Sequence, residues 1–184
     1  MNKKVYVLLA EGFELIEALA PVDVLRRGGI EVVTVAIGDK KEVMSAQKVI
    51  VYADAILSES NLSDGDVLVL PGGYPGYVNL GNSEKVGEIV KYYADSKKYI
   101  AAICGAPTVL SKHGVLKGKS VTCHSSVAKD MNGYTYTGNM VEKDDTLITG
   151  VGAGRSIDFG LKIAEVLLEK EAIEKIKKGM ELSK

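Results

Sequence analysis

Short runs of β-branched and aliphatic residues alternate along this chain with longer segments in which apolar residues recur every three or four positions. The continuous apolar runs predict strands buried on both faces, and the wider spacing predicts amphipathic helices. Strands are predicted at residues 4–9, 30–37, 66–70, 99–103, 119–123 and 146–149. Helices are predicted at residues 14–27, 83–97, 106–112, 155–169 and 172–178.

Prolines and glycines mark the ends of several elements. Pro21 lies inside the first predicted helix, and we expect it to kink that helix or to end its first segment, because proline lacks the N–H that a helix uses. Gly28 and Gly29 then stop the helix. Residues 71–76 (PGGYPG) predict a loop with unusual dihedrals, and residues 48–52 predict a short strand in an irregular excursion.

The alternation of strands and helices predicts the overall architecture. It favours one α/β domain over residues 1–184, with a mainly parallel sheet and helices on both faces. The ligand crevice of such a sheet lies beyond the carboxyl ends of its strands. Five loops are predicted at that edge, namely 10–13, 71–76, 104–105, 124–126 and 150–154.

Composition and charge exclude several classes of protein. The net charge of -1, with no basic block, does not favour nucleic-acid binding. The apolar run near the N-terminus is too short for a signal peptide or a membrane span. Two cysteines are too few for a secreted disulfide framework. We therefore expect a cytoplasmic protein with no membrane partner.

Cys104 is the first candidate for chemistry. It follows the predicted strand 99–103 directly and precedes Gly105 and Pro107, which matches the order of strand, nucleophile, glycine and helix in a nucleophile elbow. The dipole of the following helix should lower the pKa of the thiol. The local pattern also fits a buried structural cysteine, and it does not decide between the two.

Glutamates recur at the start of the first predicted helix. Glu11, Glu14 and Glu17 are spaced three apart, and a helix N-terminus accommodates acidic residues without any catalytic role. Glu17 differs because apolar residues surround it. Poor solvation would raise its pKa, so that it could donate a hydrogen bond to a thiolate or act as a general acid and base. Spacing alone does not select it.

The remaining candidates are weaker. His124 ends a predicted strand at the same edge as Cys104, where it could activate the thiol or serve a structural role. Cys123 fits a small strand residue, since a metal site would need further ligands. The glycine-rich segment 150–154 lacks the lysine and hydroxyl residue of a phosphate-binding loop. We predict that it is a tight turn bringing backbone close to the crevice.

Four segments together resemble a known family. AEGFELIEALAPVDVLRRGG, VLPGG, AAICGAP and TCH, in this order and at these spacings, are similar to the ThiJ/PfpI superfamily, in particular to its branch of Parkinson disease protein seven (DJ-one) and bacterial protein deglycases. The resemblance runs from Lys4 to about Glu169. It implies a flavodoxin-like fold and a homodimer.

The resemblance also implies roles for particular residues. It makes Cys104 the nucleophile and Glu17 a protonated carboxyl hydrogen-bonded to it. His124 matches the nearby family histidine. Gly73 and Gly105 match the positions whose backbone N–H groups face the bound oxyanion or the oxidised sulfur.

The implied activity is cysteine-dependent and needs no cofactor or metal. The substrates would be methylglyoxal-like α-oxoaldehydes or their early glycation adducts, converted as a defence against carbonyl or oxidative stress. The alternative is a redox-sensing or chaperone-like protein whose cysteine is oxidised to a sulfinate and which turns over little substrate.

Three features of the sequence depart from the motifs of this superfamily and limit the activities that the resemblance implies. The protease branch has a histidine directly after its cysteine, and Gly105 stands there instead, which argues against peptidase activity. Related glutamine amidotransferases need a late H-x-E pair, which neither His113 nor His124 forms. The final loop, GAGRS, lacks the expected proline and threonine, so Arg155 leaves the shape and charge of the pocket open.

Overall fold

A computed structural model describes residues 3–182. Its strands are β1 (Lys4–Leu9), β2 (Glu31–Ala36), β3 (Glu42–Met44), β4 (Ile50–Tyr52), β5 (Ala55–Ile56), β6 (Val67–Leu70), β7 (Tyr99–Ile103), β8 (Ser120–Val121), β9 (Thr135–Tyr136), β10 (Val141–Asp144) and β11 (Leu147–Gly150). Its helices are α1 (Leu15–Arg27), α2 (Gly76–Asn82), α3 (Glu84–Asp95), α4 (Pro107–His113), α5 (Ser156–Glu165) and α6 (Lys170–Gly179).

A seven-stranded sheet forms the centre of the fold, in the order β10-β11-β7-β6-β1-β2-β5. Every neighbouring pair is parallel except β10 with β11, so the predicted mainly parallel α/β fold is confirmed. The chain moves from β1 to β2 and β5 on one side and then returns through β6, β7 and β11 on the other. The strand order therefore reverses beside β1, where a crevice opens at the carboxyl ends.

Alternating side chains of β1 show how the two helical layers are held. Val5, Val7 and Leu9 belong to the hydrophobic core that includes α1 and α5, whereas Tyr6 and Leu8 belong to the core that includes α3 and α4. Because successive side chains of a strand point to opposite faces, a strand covered on both sides has to be apolar throughout. Residues 5–9 (VYVLL), all of them buried, meet this requirement.

The first helix corrects one expectation. We expected Pro21 to kink α1 or to end its first segment, and the helix does not end there, since it runs from Leu15 to Arg27. Pro21 is buried, and a side chain added at Gly160 of α5 would lie 3.0 Å from the Pro21 Cα atom. Proline leaves one backbone hydrogen bond of α1 unmade. The close packing against α5 keeps the chain helical at this position, because tertiary contacts contribute most of the stability of a protein helix.

Two other segments differ from the sequence-based prediction. Helix α2 was missed, since its sequence GYVNLGN contains two glycines and follows a proline. The strand predicted at 119–123 shrinks to β8, which pairs with β9 in a separate two-stranded sheet. The excursion predicted around 48–52 is a β3–β4 hairpin. None of the helices within residues 3–182 combines the length and apolarity that crossing a membrane requires.

Candidate active site

Cys104 lies in a sharp turn between β7 and α4. Its φ of +64° is in the left-handed region, which costs a non-glycine residue about 1–2 kcal/mol. Two backbone hydrogen bonds hold the turn: Cys104 N–H donates to the Gly150 carbonyl at 2.9 Å, and the Cys104 carbonyl accepts from His124 N–H at 2.9 Å. Such strain is characteristic of functional sites. The predicted elbow geometry is present.

Glu17 faces this turn from the first turn of α1. Its side chain is buried, with 0% of the residue exposed, and Oε2 accepts a hydrogen bond from Gly72 N–H at 2.9 Å. Oε1 is also buried and accepts no hydrogen bond from any N–H or O–H group of residues 3–182. The Cys104 thiol lies within hydrogen-bonding reach of this carboxyl group. A buried polar atom without a partner requires an explanation, and a proton shared with the thiol provides one.

Glycines are required at three positions around the thiol. A side chain at Gly72 would lie 2.5 Å from Glu17 Oε2 and 2.7 Å from Cys104 Cβ, and one at Gly73 would lie 2.6 Å from the Phe13 carbonyl carbon. A side chain at Gly105 would lie 2.5 Å from the Tyr77 ring. Gly73 and Gly105 direct their backbone N–H groups at the sulfur. The site therefore combines a thiol, a carboxyl group and two N–H donors in very little space.

The pKa values of Glu17 and Cys104 are coupled. Burial raises the pKa of Glu17 to about 7, against the opposing effect of its hydrogen bonds with Cys104 and Gly72. Burial also raises the pKa of the Cys104 thiol, as do the charge of ionised Glu17 and the hydrogen bond to it, whereas the N–H groups of Gly105 and Gly73 lower it. The expectation that the helix start lowers this pKa is therefore wrong. It considered the helix dipole and left out burial and a carboxylate at the same spot.

One consequence is that a thiolate forms most readily by internal proton transfer. When Glu17 is ionised, the pair carries one negative charge, which can reside on the carboxylate or on the sulfur. Moving the thiol proton to Glu17 removes the charge that opposes ionisation of Cys104, and the two N–H donors then face a thiolate. Neutral pH lies near the pKa of Glu17, so both protonation states of the carboxyl group are populated.

His124 lies at the mouth of the site and is exposed. Its Nδ1 atom accepts a hydrogen bond from Ser126 N–H at 3.3 Å and lies 2.8 Å from Ser126 Oγ. Because Nδ1 is an acceptor there, the proton of the neutral ring belongs on Nε2. This ring is held in place by its own loop and is separate from the Glu17–Cys104 pair. Cys123, by contrast, is 0% exposed in the core, and burial raises the pKa of its thiol to about 11.

A cavity of about 820 Å³ opens in front of Cys104. The residues that line it are Glu14, Glu17, Cys104, His124, Ser125, Val151, Gly152, Ala153, Gly154 and Arg155. The segment 150–154 thus brings backbone to the crevice, as predicted. Among residues 3–182 no group of three or more His, Cys, Asp or Glu side chains has an arrangement that could hold a metal ion.

All the residues that the sequence selected lie at the site, but they differ in how near they are to Cys104. Glu17, Gly73 and Gly105 surround Cys104, whereas His124 only shares the cavity. Sequence reasoning missed Gly72, which donates to Glu17, and Tyr77, whose ring closes the space beside Gly105. The double glycine after β6 was the available signal for Gly72. Nothing local marked Tyr77, because its role depends on α2 packing against the elbow.

The fold and site define a class of α/β protein in which a cysteine at a strand-to-helix turn faces a buried carboxyl group. The chain belongs to the DJ-1/PfpI family, whose model matches residues 3–166. This confirms the resemblance found in the sequence.

Individual relatives extend over the whole chain. Protein dj-1beta of Drosophila melanogaster is 40% identical over 98% of this chain and 97% of its own length. The crystal structure of Drosophila melanogaster DJ-1beta superposes with a TM-score of 0.96 at 39% identity and covers 100% of both chains. The glutathione-independent glyoxalase DJR-1.2 of Caenorhabditis elegans is 35% identical over 100% of this chain and 98% of its own. The flavodoxin-like fold is therefore that of the family.

Proposed function

We propose that this protein is a cysteine-dependent enzyme of the glyoxalase or deglycase type that needs no cofactor. Its substrates are small α-oxoaldehydes such as methylglyoxal, or the early adducts that these form with amino and thiol groups. The observation that carries the proposal is the buried, otherwise unpaired Oε1 of Glu17 beside the Cys104 thiol and two backbone N–H donors. The relative named a glutathione-independent glyoxalase supports the reaction class.

The first step forms a bond between sulfur and the aldehyde carbon. The Cys104 proton passes to the Glu17 carboxylate as Sγ attacks, and the electron pair of the C=O bond moves onto the aldehyde oxygen. Gly73 and Gly105 N–H groups stabilise this oxyanion, and a donor of this kind contributes about 3 kcal/mol to lowering the barrier. Protonated Glu17 then returns its proton to the oxyanion, which gives a hemithioacetal.

The second step moves a proton between the two former carbonyl carbons. The Glu17 carboxylate removes the C–H proton of the hemithioacetal carbon, and an enediolate forms as the adjacent C=O accepts the electron pair. The hydroxyl proton of the former aldehyde carbon moves to the neighbouring oxygen, and protonated Glu17 delivers its proton to the neighbouring carbon, which gives a 2-hydroxy thioester on Cys104. Water hydrolyses the thioester and releases the hydroxy acid and the free thiol. One carbon is oxidised and its neighbour is reduced, so no external oxidant or reductant is needed.

His124 belongs to the hydrolytic half of this scheme. Its Nε2 atom is left free by the hydrogen bonds that occupy Nδ1, and it lines the same cavity. We propose that its Nε2–H group donates a hydrogen bond to the thioester oxygen and so polarises the carbonyl for attack by water. Its replacement therefore slows release of the hydroxy acid more than formation of the thioester.

Assembly and location are also part of the proposal. We propose a homodimer, in keeping with the family resemblance. Cytoplasmic location fits two thiols that remain unpaired, Cys104 and Cys123. Peptidase activity is not proposed, since Gly105 occupies the position of the protease histidine.

The direct test is incubation of the purified protein with methylglyoxal in the absence of glutathione, metal and nicotinamide. We expect stoichiometric lactate by proton NMR, and in D₂O we expect a deuterium atom at C2 wherever the proton carried by Glu17 exchanges before its return. The absence of lactate above a protein-free control contradicts the proposal.

A second function is favoured by the same unpaired carboxyl oxygen. Protonated Glu17 can donate a hydrogen bond to a sulfinate on Cys104. This hydrogen bond stabilises the product that forms when a redox-sensing thiol is oxidised through sulfenic to sulfinic acid. We expect limiting hydrogen peroxide to add two oxygen atoms selectively to Cys104 in the intact protein by mass spectrometry. Oxidation of exposed Met140 ahead of Cys104 argues against redox sensing.

A further inference from the structure

Arg155 gives the cavity a positive charge that the proposed chemistry does not use. It directly precedes α5. Of the described residues that line the cavity in front of Cys104, Arg155 is the one with a basic side chain. The segment that carries it passes the mouth of the site, because a side chain at Gly152 would lie 3.8 Å from the His124 ring. A cation in the wall of this cavity can act on the part of a substrate that extends away from the sulfur.

The guanidinium group of Arg155 remains largely available. Its nearest carboxylate is Asp158, where Nη1 and Oδ2 are 3.4 Å apart, and the two side chains are 43% and 52% exposed. An exposed pair at this distance is weak, and the other N–H donors of the guanidinium are left for a ligand. Arginine binds planar anions through two parallel hydrogen bonds, which is the geometry of carboxylate recognition.

The other charges of the cavity leave room for an anion on one side. Glu14 lies at the start of α1, where its Oε2 atom accepts a hydrogen bond from Glu17 N–H at 2.8 Å. Arg155 lies at the start of α5, whose dipole adds positive potential and whose N-terminus carries no side-chain cap. A side chain at Gly154 would meet nothing within 4 Å, so the space beside Arg155 is open. An anion is therefore attracted to the α5 side and repelled from the α1 side.

The size of the cavity favours a substrate larger than methylglyoxal. At about 820 Å³ it lies in the range of pockets that bind ligands of drug size, roughly 300–1,000 Å³, and far exceeds a three-carbon aldehyde. We propose that Arg155 binds a carboxylate on the substrate, and that the preferred substrates are α-oxoaldehydes or adducts with a carboxylate a few bonds from the ketone carbon. This inference rests on the proposed function and names its substrate class.

The test compares two substrates of equal length. 4,5-Dioxopentanoate carries a terminal carboxylate and yields 2-hydroxyglutarate, whereas 2-oxopentanal is uncharged and yields 2-hydroxypentanoate. We expect the wild-type kcat/KM to favour the anion, and Arg155→Gln to lower that preference at least tenfold, mainly through KM. Arg155→Lys restores part of it. The matched control is Lys162→Gln, which makes the same change of charge on the outer part of α5 and leaves the preference unchanged.

Alkylation of Cys104 provides a readout that does not depend on turnover. Iodoacetate and iodoacetamide differ mainly in charge, and we expect Arg155→Gln to lower the ratio of their rate constants at Cys104 several-fold. If this ratio falls while neither oxoaldehyde is converted, the proposed function is wrong and anion binding by Arg155 stands. Unchanged ratios in Arg155→Gln, for both substrates and both alkylating agents, overturn the inference.

Discussion

Replacing Glu17 with glutamine is expected to lower kcat for methylglyoxal by about 10²–10⁴-fold while making the protein more stable at pH 8. The amide keeps an acceptor for Gly72 N–H, so the local geometry is preserved. It cannot take the proton of Cys104 or carry one between the substrate carbons. Loss of activity together with gain of stability distinguishes a carboxyl group kept for chemistry from one kept for the fold.

The gain in stability follows from the sign of the pKa shift. Burial raises the pKa of Glu17 from 4.5 to about 7. Between these values the folded protein holds a proton that the unfolded chain has released, so wild-type stability falls as pH rises from about 4.5 to about 7 and then levels off. A shift of this size corresponds to about 3 kcal/mol. Glu17→Gln does not lose stability as pH rises through this range. Its gain in stability over wild type is therefore largest above pH 7 and vanishes below pH 4.5.

Urea unfolding of both proteins between pH 4 and pH 8 measures this difference. The same variant tests the coupling to Cys104: without the carboxylate, the midpoint of iodoacetamide alkylation should move to lower pH, since the charge that raises the thiol pKa is gone. Equal pH dependence of stability in the two proteins, or an unchanged alkylation midpoint, contradicts the placement of a coupled pair at this site.

Replacing Cys104 with alanine is expected to abolish lactate formation, with a loss of at least about 10³-fold in kcat/KM. Alanine keeps the backbone turn at a φ of +64° with a similar steric cost, so the fold is retained. The reaction is lost because no other thiol reaches the cavity: among the described residues the second cysteine is Cys123, which is buried in the core.

Cys123→Ala is the matched control for this prediction. It removes a thiol from a packed site, which is expected to cost about 1 kcal/mol of stability and to leave lactate formation within about twofold of wild type. Far-ultraviolet circular dichroism of both variants checks that they are folded. Turnover that persists in Cys104→Ala, or disappears in folded Cys123→Ala, rules out Cys104 as the nucleophile.

The one-dimensional pattern determined the scaffold and the position of the nucleophile. Strands such as β1 and β7 have to be apolar on both faces, and this requirement is visible in consecutive residues. The elbow is equally local, since strand, Cys104, Gly105 and a helix-starting Pro107 follow one another directly. The family motifs added Glu17 and Gly73. Boundaries were less accurate where tertiary packing overrides local propensity, as at Pro21 in α1 and at the glycine-rich α2.

The state of the cysteine was decided only in three dimensions. The sequence places Cys104 beside a helix start, which alone would lower its pKa. The folded chain partly buries the thiol, brings in Glu17 from 87 positions earlier and adds N–H groups from Gly73 and Gly105. Desolvation and charge depend on distance through space, to which the order of residues gives no direct access. For the same physical reason, only the tertiary structure could place Arg155 in the cavity with Cys104.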